Sequence, residues 1–486
     1  MASNNEFNVQ FKNFEVGFSP TAHLDSLTER GNSGSASVMT DVDILDGLLT
    51  QGPGLEALTN GTEAGVVTEL INYILDTPAA DSITYGIGTS KLFKITPTTV
   101  TTGGSPSWPQ AITGCTEGES VARLGANIYG FYNKASGGDI LKMPIGNETI
   151  DPDWGSTTPT GFAALQSAAH PVAVKEDIMA FGNGRYLGFY TEDNNTIQPT
   201  KLDFGTACEV ADVAFHANYW YVAVNGSVSG TNRTQGQIFI YDGAVVDTLL
   251  ADELGVGFQR IGFIYVLDGV MYVAYQDLSD TNGYHIGYLN GRKITPLASF
   301  TGGLPTYQQK TLYRHTILFN AAGSLWSCGA VSPEFPVQIS QIADGGYATV
   351  GAVAAPFGTP MVASYSGSTY QLAKFSGYST TGVWKSVVIP TTTGNLRGYI
   401  DTISVLTRTL GADATATLVV EANQGNVTSN SKAITGTGKT RFSFSGLGLG
   451  ASAIEDFRIY ISFSSGDTSN PVKIRDISVY GHYVES

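Results

Sequence analysis

The sequence predicts an all-β protein: an extended N-terminal arm (residues 1–64), a β-propeller of about seven blades (65–390) and a C-terminal β-sandwich of jelly-roll-like order (391–486). Three observations carry that prediction. One pattern of strands is written twice between Val213 and Phe300. Glycine (58 residues) and aromatic residues (11 %) are abundant, while charged residues are sparse (14 %). Such a composition suits many short strands joined by tight turns and argues against disorder. After Pro390 the pattern stops, and the strands alternate apolar and polar residues as a two-layer sandwich requires.

The repeat is clearest in its two copies. Tyr219–Val224 (YWYVAV), Gln237–Gly243 (QIFIYDG) and Val245–Leu249 are echoed by Val270–Tyr275 (VMYVAY), His285–Gly291 (HIGYLNG) and Lys293–Phe300 (KITPLASF). Asp242-Gly243 recurs as Asn290-Gly291, 48 positions later (290 − 242). Both dipeptides favour a type I′ hairpin turn, whose two central residues need φ > 0. A strand unit repeating at about 40–50 residues marks a propeller.

Taken in order, the chain opens with Phe7, Val9 and Phe11, which alternate as in a short strand. A Gly/Ser-rich stretch (Arg30–Ser37) follows, and Gly52-Pro53-Gly54 reads as a turn. A segment with strand alternation but no core of its own must bury its apolar face elsewhere, on the propeller or on a neighbouring chain. Phe7, Val9 and Phe11 are therefore candidate assembly residues. The stretch Val66–Leu75 has apolar residues at roughly helical spacing and is the place expected for a short helix. Propeller units follow up to Pro390. The sixth holds Thr316–Asn320, Ser324–Gly329 and Pro336–Ile342; the seventh holds Pro360–Tyr365, Thr369–Phe375 and Val383–Ile389. Six or eight units remain open, because the first two are weak. Thr391–Asn395 reads as a linker, and Phe457, Ile459, Ile461 and Phe463 mark the sandwich most clearly.

The run Gly47-Leu48-Leu49-Thr50-Gln51-Gly52-Pro53-Gly54-Leu55, placed before a propeller, resembles the N-terminal arm of structural proteins of tailed bacteriophages. Those arms place a glycine, a leucine and an Arg-Pro-Gly turn after a short strand. Pro53, Gly54 and Leu55 match, and Gly52 stands where the arginine would be. The closing strand with Ile474, Ile477, Val479 and Tyr480 is similar to sandwiches in such virion proteins. The resemblance adds Pro53, Gly54 and Leu55 to the candidate assembly residues. It implies a non-enzymatic virion component, part of the tail nozzle or tail-end ring. Its partners would be copies of itself and other virion proteins, and it would be made in the host cytoplasm and need no cofactor.

Charge narrows the partners. A net charge of −16 argues against binding nucleic acid, which rewards the neutralisation of phosphates. No apolar run reaches the length of a membrane span, and MASNNEFNVQ lacks the basic and apolar regions of a secretory signal. Cys115, Cys208 and Cys328 are far apart and read as free thiols in a reducing compartment. Between Gly394 and Ser486 the charges nearly balance, with Arg397, Arg408, Lys432, Lys439, Arg441, Arg458, Lys473 and Arg475. Self-repulsion is therefore weakest there, which favours the sandwich as a contact surface.

Chemistry is harder to find. Asp151, Asp153 and Trp154 (DPDW) offer carboxylates for acid or metal work, though a solvated inter-blade turn with proline at its centre is the favoured reading. Asp277, Asp280 and Asn282 have the oxygen-rich alternation that hard cations favour, without the frame of a calcium loop, and Glu192, Asp193 and Asn194 read the same way. The six histidines (His23, His170, His216, His285, His315 and His482) show no metal-ligand spacing. There is no G-x-S-x-G elbow, and Gly446–Gly450 opens no helix that would cradle a phosphate. Two rivals to the structural reading remain. One is a lectin-like propeller that stacks host glycan on Tyr219, Trp220, Tyr221, Tyr272, Tyr275, Tyr284 and Tyr288, although their places within strands, not loops, favour packing between blades. The other is a propeller glycosidase or lyase, which needs two carboxylates about 5–10 Å apart in one cleft.

Overall fold

A computed structural model of the chain describes residues 6–12, 14, 36–45, 47–64, 67–73, 83–163, 165–227, 234–244, 246–250, 259–277, 283–290, 293–329, 338–343, 349–355, 359–366, 369–391, 396–411, 413–443, 454–466 and 468–485. The protein is all-β. Among the described residues the α-helical content is a single turn, Trp154–Thr157. The chain falls into two compact units. One comprises residues 1–55, 325–345 and 375–486, and the other residues 56–324 and 346–374.

The first unit is a β-sandwich. One sheet runs Val42–Leu45, Leu48–Gln51, Lys473–Glu485, Leu396–Thr409, Gly438–Ser443, and Glu6–Lys12 also pairs with Lys473–Glu485. The other runs Ala36–Thr40, Thr381–Ser386, Asp456–Ser465, Ala414–Ala422, Val427–Thr428, with Ile389–Pro390 and Lys432–Ile434 attached to its central strands. Phe457, Ile459, Ile461 and Phe463 are all buried and share one apolar core with Ile403, Val405, Ile474, Ile477 and Val479. Alternation on the two inner faces, interrupted between Ile474 and Ile477 where the pairing register slips, builds this core, each side chain contributing about 1.5–3 kcal/mol.

The described N-terminal strands up to Gln51 are part of this sandwich and not an extended arm. Glu6–Lys12 runs antiparallel to the last strand, with Phe11 opposite Ile477 and Val9 opposite Val479. Phe11 is fully buried in the sandwich core, and Phe7 and Val9 pack against it. Gly481, opposite Phe7, makes this possible, because a Cβ there would overlap the Phe7 ring. The expected need for an outside surface is thus met within the unit. The same alternation signals a strand whichever surface covers it. Gly52-Pro53-Gly54 is not a turn either, since Pro53 begins the strand Pro53–Ala57. First place in a strand suits a residue with no N–H to give. Val383–Ile389, expected in the seventh blade, belongs to the sandwich, where Thr381–Ser386 pairs with Asp456–Ser465. Ser324–Gly329 and Gln338–Ala343, expected in the sixth unit, pair with each other and join neither sandwich sheet; with Lys310–Tyr313 and Thr316–Ala321 they make the four-stranded sheet expected there. The expected linker at 392–395 and the glycines 446–450 lie outside the described residues, as does most of Arg30–Ser37.

The second unit is the propeller, a succession of antiparallel meanders. Val67–Tyr73, Ile83–Gly88, Lys91–Ile95 and Gln110–Ala111 form the first; Cys115–Leu124, Asn127–Lys134 and Gly137–Pro144 form the second. Val172–Lys175, Ile178–Asn183, Tyr186–Thr191 and Thr196–Asp203 follow. The two repeat copies are Cys208–His216, Tyr219–Ser227, Thr234–Tyr241, Val246–Leu250 and Gln259–Leu267, Val270–Asp277, Gly283–Asn290, Lys293–Thr301. After them come the hairpin Lys310–Tyr313/Thr316–Ala321 and the meander that begins with Thr349–Ala354 and Met361–Ser366. Thr349–Ala354 lies beside Val67–Tyr73, so last meets first. The chain just ahead of the first meander reinforces that closure. Leu58 N donates to Leu372 O (2.9 Å), and Lys374 pairs with Glu56 (3.9 Å).

Two local expectations change. Val67–Tyr73 is a strand, paired with Ile83–Gly88, and no helix forms there. Its register slips between Val67 and Glu69, and that bulge breaks the period-two pattern into one that mimics helical spacing. The type I′ turns of the repeat sit one hairpin earlier than expected. Ala217-Asn218 (φ 47° and 70°) and Asp268-Gly269 (φ 50° and 80°) have both central residues left-handed. At Asp242-Gly243 only the glycine is left-handed (φ 104°), and Tyr241 pairs with Val246 across a longer connection. Gly291 lies outside the described residues.

Candidate ligand site inside the propeller

Three of the innermost strands are interrupted by a bulge at a similar place. The register slips between Gly118 and Ser120, between Val210 and Asp212, and between Ile261 and Phe263. The extra residues are Glu119, Ala211 and Gly262. A bulge re-aims the side chain it carries. Beside the bulges at Ala211 and Gly262 a cavity of about 740 Å³ opens, bordered by Glu209, Asn225, Arg260, Gln276, Tyr307 and the run Thr301–Leu304. Gly262 has no freedom to change, because a Cβ there would overlap Pro305 O and the Leu304 side chain. Its smallness lets the wall segment close against the strand.

Behind Tyr307 lies the carboxyl of Glu119, 7 % exposed. Asn133 Nδ2 donates to its Oε1 (2.6 Å) and the Tyr307 hydroxyl to its Oε2 (3.1 Å). Burial pushes the Glu119 carboxyl up to about 8, with Glu117 adding to the rise and the Tyr307 and Asn133 donors opposing it. Asp212, 2 % exposed, accepts from Val213 N (2.8 Å) and Ile264 N (2.7 Å) and pairs with the Lys310 ammonium. Lys310 also donates to Ile264 O (2.6 Å). Burial raises the Asp212 carboxyl, and the Lys310 charge and the two N–H donors hold that rise in check.

A recurring amide escaped the sequence reading. Asn133, Asn183, Asn225, Gln276 and Asn320 stand at or near the end of the second strand in successive meanders, 50, 42, 51 and 44 residues apart. Asn225 Nδ2 donates to Ile261 O and its Oδ1 accepts from Ile261 N, both at 2.8 Å. Asn133 joins the Ala168 backbone in the same two-way manner (3.2 and 3.3 Å), and Asn320 Nδ2 donates to Val350 O (3.0 Å). These three reach the next inner strand or the chain entering it, whereas Asn183 donates to Pro199 O (3.1 Å) in its own meander. The signal that could have found them is a carboxamide after each YVAV-like run.

The residues singled out by sequence are scattered. Phe7, Val9, Phe11, Pro53, Gly54 and Leu55 all belong to the sandwich unit, and none of them borders this cavity. Asp153 pairs with Lys134 (2.6 Å), and Trp154 is buried against Tyr129 and Tyr190 (ring centroids 5.1 Å apart in each case), so DPDW acts as a packed turn. Glu192 accepts from Asn127 (2.7 Å). Asp280 and Asn282 lie outside the described residues, among which no cluster of His, Cys, Asp and Glu is set to hold a metal ion. His170 is fully buried with Nδ1 against Gly182 O (2.8 Å), and burial pushes it down to about 4. Trp220, Tyr272, Tyr275 and Tyr284 are buried, while Tyr219 is 43 % exposed, so the tyrosines make no continuous stacking platform. Burial pushes the Cys115 thiol up to about 11 and raises Cys328 further.

No family model matches the chain, and no curated protein matches it in sequence. Among solved structures it is similar to propellers at low identity. The β-propeller domain of the Trilobed protease from Pyrococcus furiosus is 10 % identical, with 67 % of this chain and 96 % of that one covered (TM-score 0.38). The PQQ-bound aldose sugar dehydrogenase from Streptomyces coelicolor is 11 % identical, with 66 % and 97 % covered (TM-score 0.38). The extracellular domain of the two component system BT4673 from B. thetaiotaomicron is 12 % identical (TM-score 0.46). There 72 % of this chain spans 43 % of that protein, under half its length. Likeness at this level concerns the fold alone.

Proposed function

We propose that the chain is a non-enzymatic structural component of a tailed bacteriophage virion, part of the tail nozzle or tail-end ring. In this reading it assembles with copies of itself and with other virion proteins after synthesis in the host cytoplasm. The observation that supports it most is closure by sequence-distant strands in both units. Glu6–Lys12 locks onto Lys473–Glu485, and residues 56–58 lie along the last propeller meander. Neither unit can open at a chain end without losing core, which suits a mechanical part. Assembly through a free arm no longer follows, because Phe11 is core. Deleting residues 1–60 removes four sandwich strands and should unfold that unit, where an arm would have left a folded monomer. The contact surface then lies on the outside of the sandwich. Val38 and Val484 are partly exposed there (38 % and 42 %), and Lys439 and Arg441 point outward from Gly438–Ser443. Light scattering at low and high salt tests the reading. A discrete ring, an integer multiple of 51.3 kDa, is expected. A monomer at both salt concentrations would count against it.

A further inference from the structure

We propose that the propeller cavity binds a small zwitterionic ligand, a short peptide with free ends, through its carboxylate on Arg260 and its ammonium on Glu209. This inference stands apart from the assembly reading, because it uses only groups inside the propeller unit. Glu209 and Arg260 hold the same register position in successive blades. Glu209 lies opposite Asn225 and two residues before the bulge at Ala211; Arg260 lies opposite Gln276 and two residues before the bulge at Gly262. Both border the cavity of about 740 Å³. Among the described residues neither charge has an ion-pair partner. Two opposite charges that border one open space, without being spent on each other, match a ligand that carries both signs.

The other ligand classes fit less well. A simple anion would face Glu209, and a simple cation would face Arg260. A sugar would want an aromatic face. Among the described residues Tyr307 is the aromatic side chain on the border, and it is buried with its hydroxyl committed to Glu119. The cavity's size lies within the range of about 300–1,000 Å³ found for drug-sized ligands, room enough for a tripeptide. Gly302 and Gly303 border the same space without side chains, so a peptide main chain can approach closely.

Isothermal titration calorimetry on the full chain separates these cases with three probes: tri-alanine with free ends, N-acetyl-tri-alanine amide, and maltotriose. Binding heat is expected from the first alone. Arg260→Gln and Glu209→Gln should each weaken it about tenfold or more, the size of a lost charge-assisted contact. Both side chains are outside the packed core, so both variants should keep the parent melting temperature. No heat from free tri-alanine would overturn the proposal. So would equal heat from the blocked peptide or from maltotriose, or an unchanged affinity in the two variants.

Discussion

The sandwich and the propeller interior differ in the polar groups they bury. In the sandwich Trp384 is met edge-on by Phe11 and Phe14 (ring centroids 5.8 and 5.3 Å apart), and the polar side chains buried in that unit are mostly hydroxyls, such as Ser386, Thr391, Ser404 and Thr407, beside Asp43 and Gln51. Around the propeller's innermost strands Glu119, Asn133, Asp212 and Asn225 are buried as well. The difference follows from the sheets' edges. In the sandwich two sheets face each other, and the strands inside each sheet satisfy their own backbone groups. Each propeller meander instead brings an edge strand inward, with N–H and C=O groups that no ladder pairs. Side chains from the neighbouring blade pair with them, as Asn225 does for Ile261 and Asp212 for Ile264. Side chains reach backbone groups in both units, as Ser386 does for Ile459 in the sandwich, but in the propeller the pins include a buried carboxylate and carboxamides that join one blade to the next.

The largest test of that contrast pairs two truncations. Trp384→Ala should cost about 3–5 kcal/mol in the sandwich, as for a large buried aromatic side chain. Asp212→Ala should cost about 3–5 kcal/mol in the propeller, because it leaves the Lys310 ammonium buried without its partner. Hydrogen exchange resolved by segment should place each loss in its own unit. Replacing Asp212 and Lys310 together with apolar residues should cost less than Asp212→Ala alone; an equal or larger loss would mean that the pair does not act as a unit. Next in size, Asn225→Ala should cost about 1–3 kcal/mol and speed exchange at the Ile261 amide, whose partner it removes.

A smaller effect depends on pH. Glu119 is raised from 4.5 to about 8, so the folded chain holds a proton that the unfolded chain has released between those values. Stability should therefore fall as pH rises through that window, by about 1.4 kcal/mol per unit. His170 is lowered from 6.5 to about 4, so its burial has the opposite sign: stability falls as pH drops from 6.5 towards 4. The two slopes cancel between about 4.5 and 6.5 and leave the decline from about 6.5 to 8 visible. Glu119→Gln should remove that decline and expose the His170 slope in melting temperatures measured across the range. Smallest of all, Tyr219→Ala should change stability by no more than about 0.5 kcal/mol, since its ring is 43 % exposed.

Much of the fold was legible because it rests on period two. Phe457, Ile459, Ile461 and Phe463 alternate in the sequence and are buried together. The paired runs YWYVAV and VMYVAY mark the second strands of equivalent blades. The innermost strands were harder to read. Glu119, Ala211 and Gly262 are bulge residues, and a bulge shifts the alternation by one position, so the strands that border the cavity look irregular. The candidate site was missed for a second reason. Glu209 and Arg260 are 51 residues apart, each unremarkable in its local run, and become neighbours only through blade equivalence.

The sequence by itself determined the strands, the repeat and the two kinds of β unit, because side-chain alternation and turn residues are local properties. Only the tertiary structure decided where the N-terminal strand belongs. Phe7, Val9 and Phe11 announce an apolar face, but which surface covers that face depends on an edge made about 470 residues away, at Lys473–Glu485. It likewise decided which polar residues are pins and which face the cavity, since burial and partnership across blades are set by closure of the ring and leave no trace in any local stretch of chain.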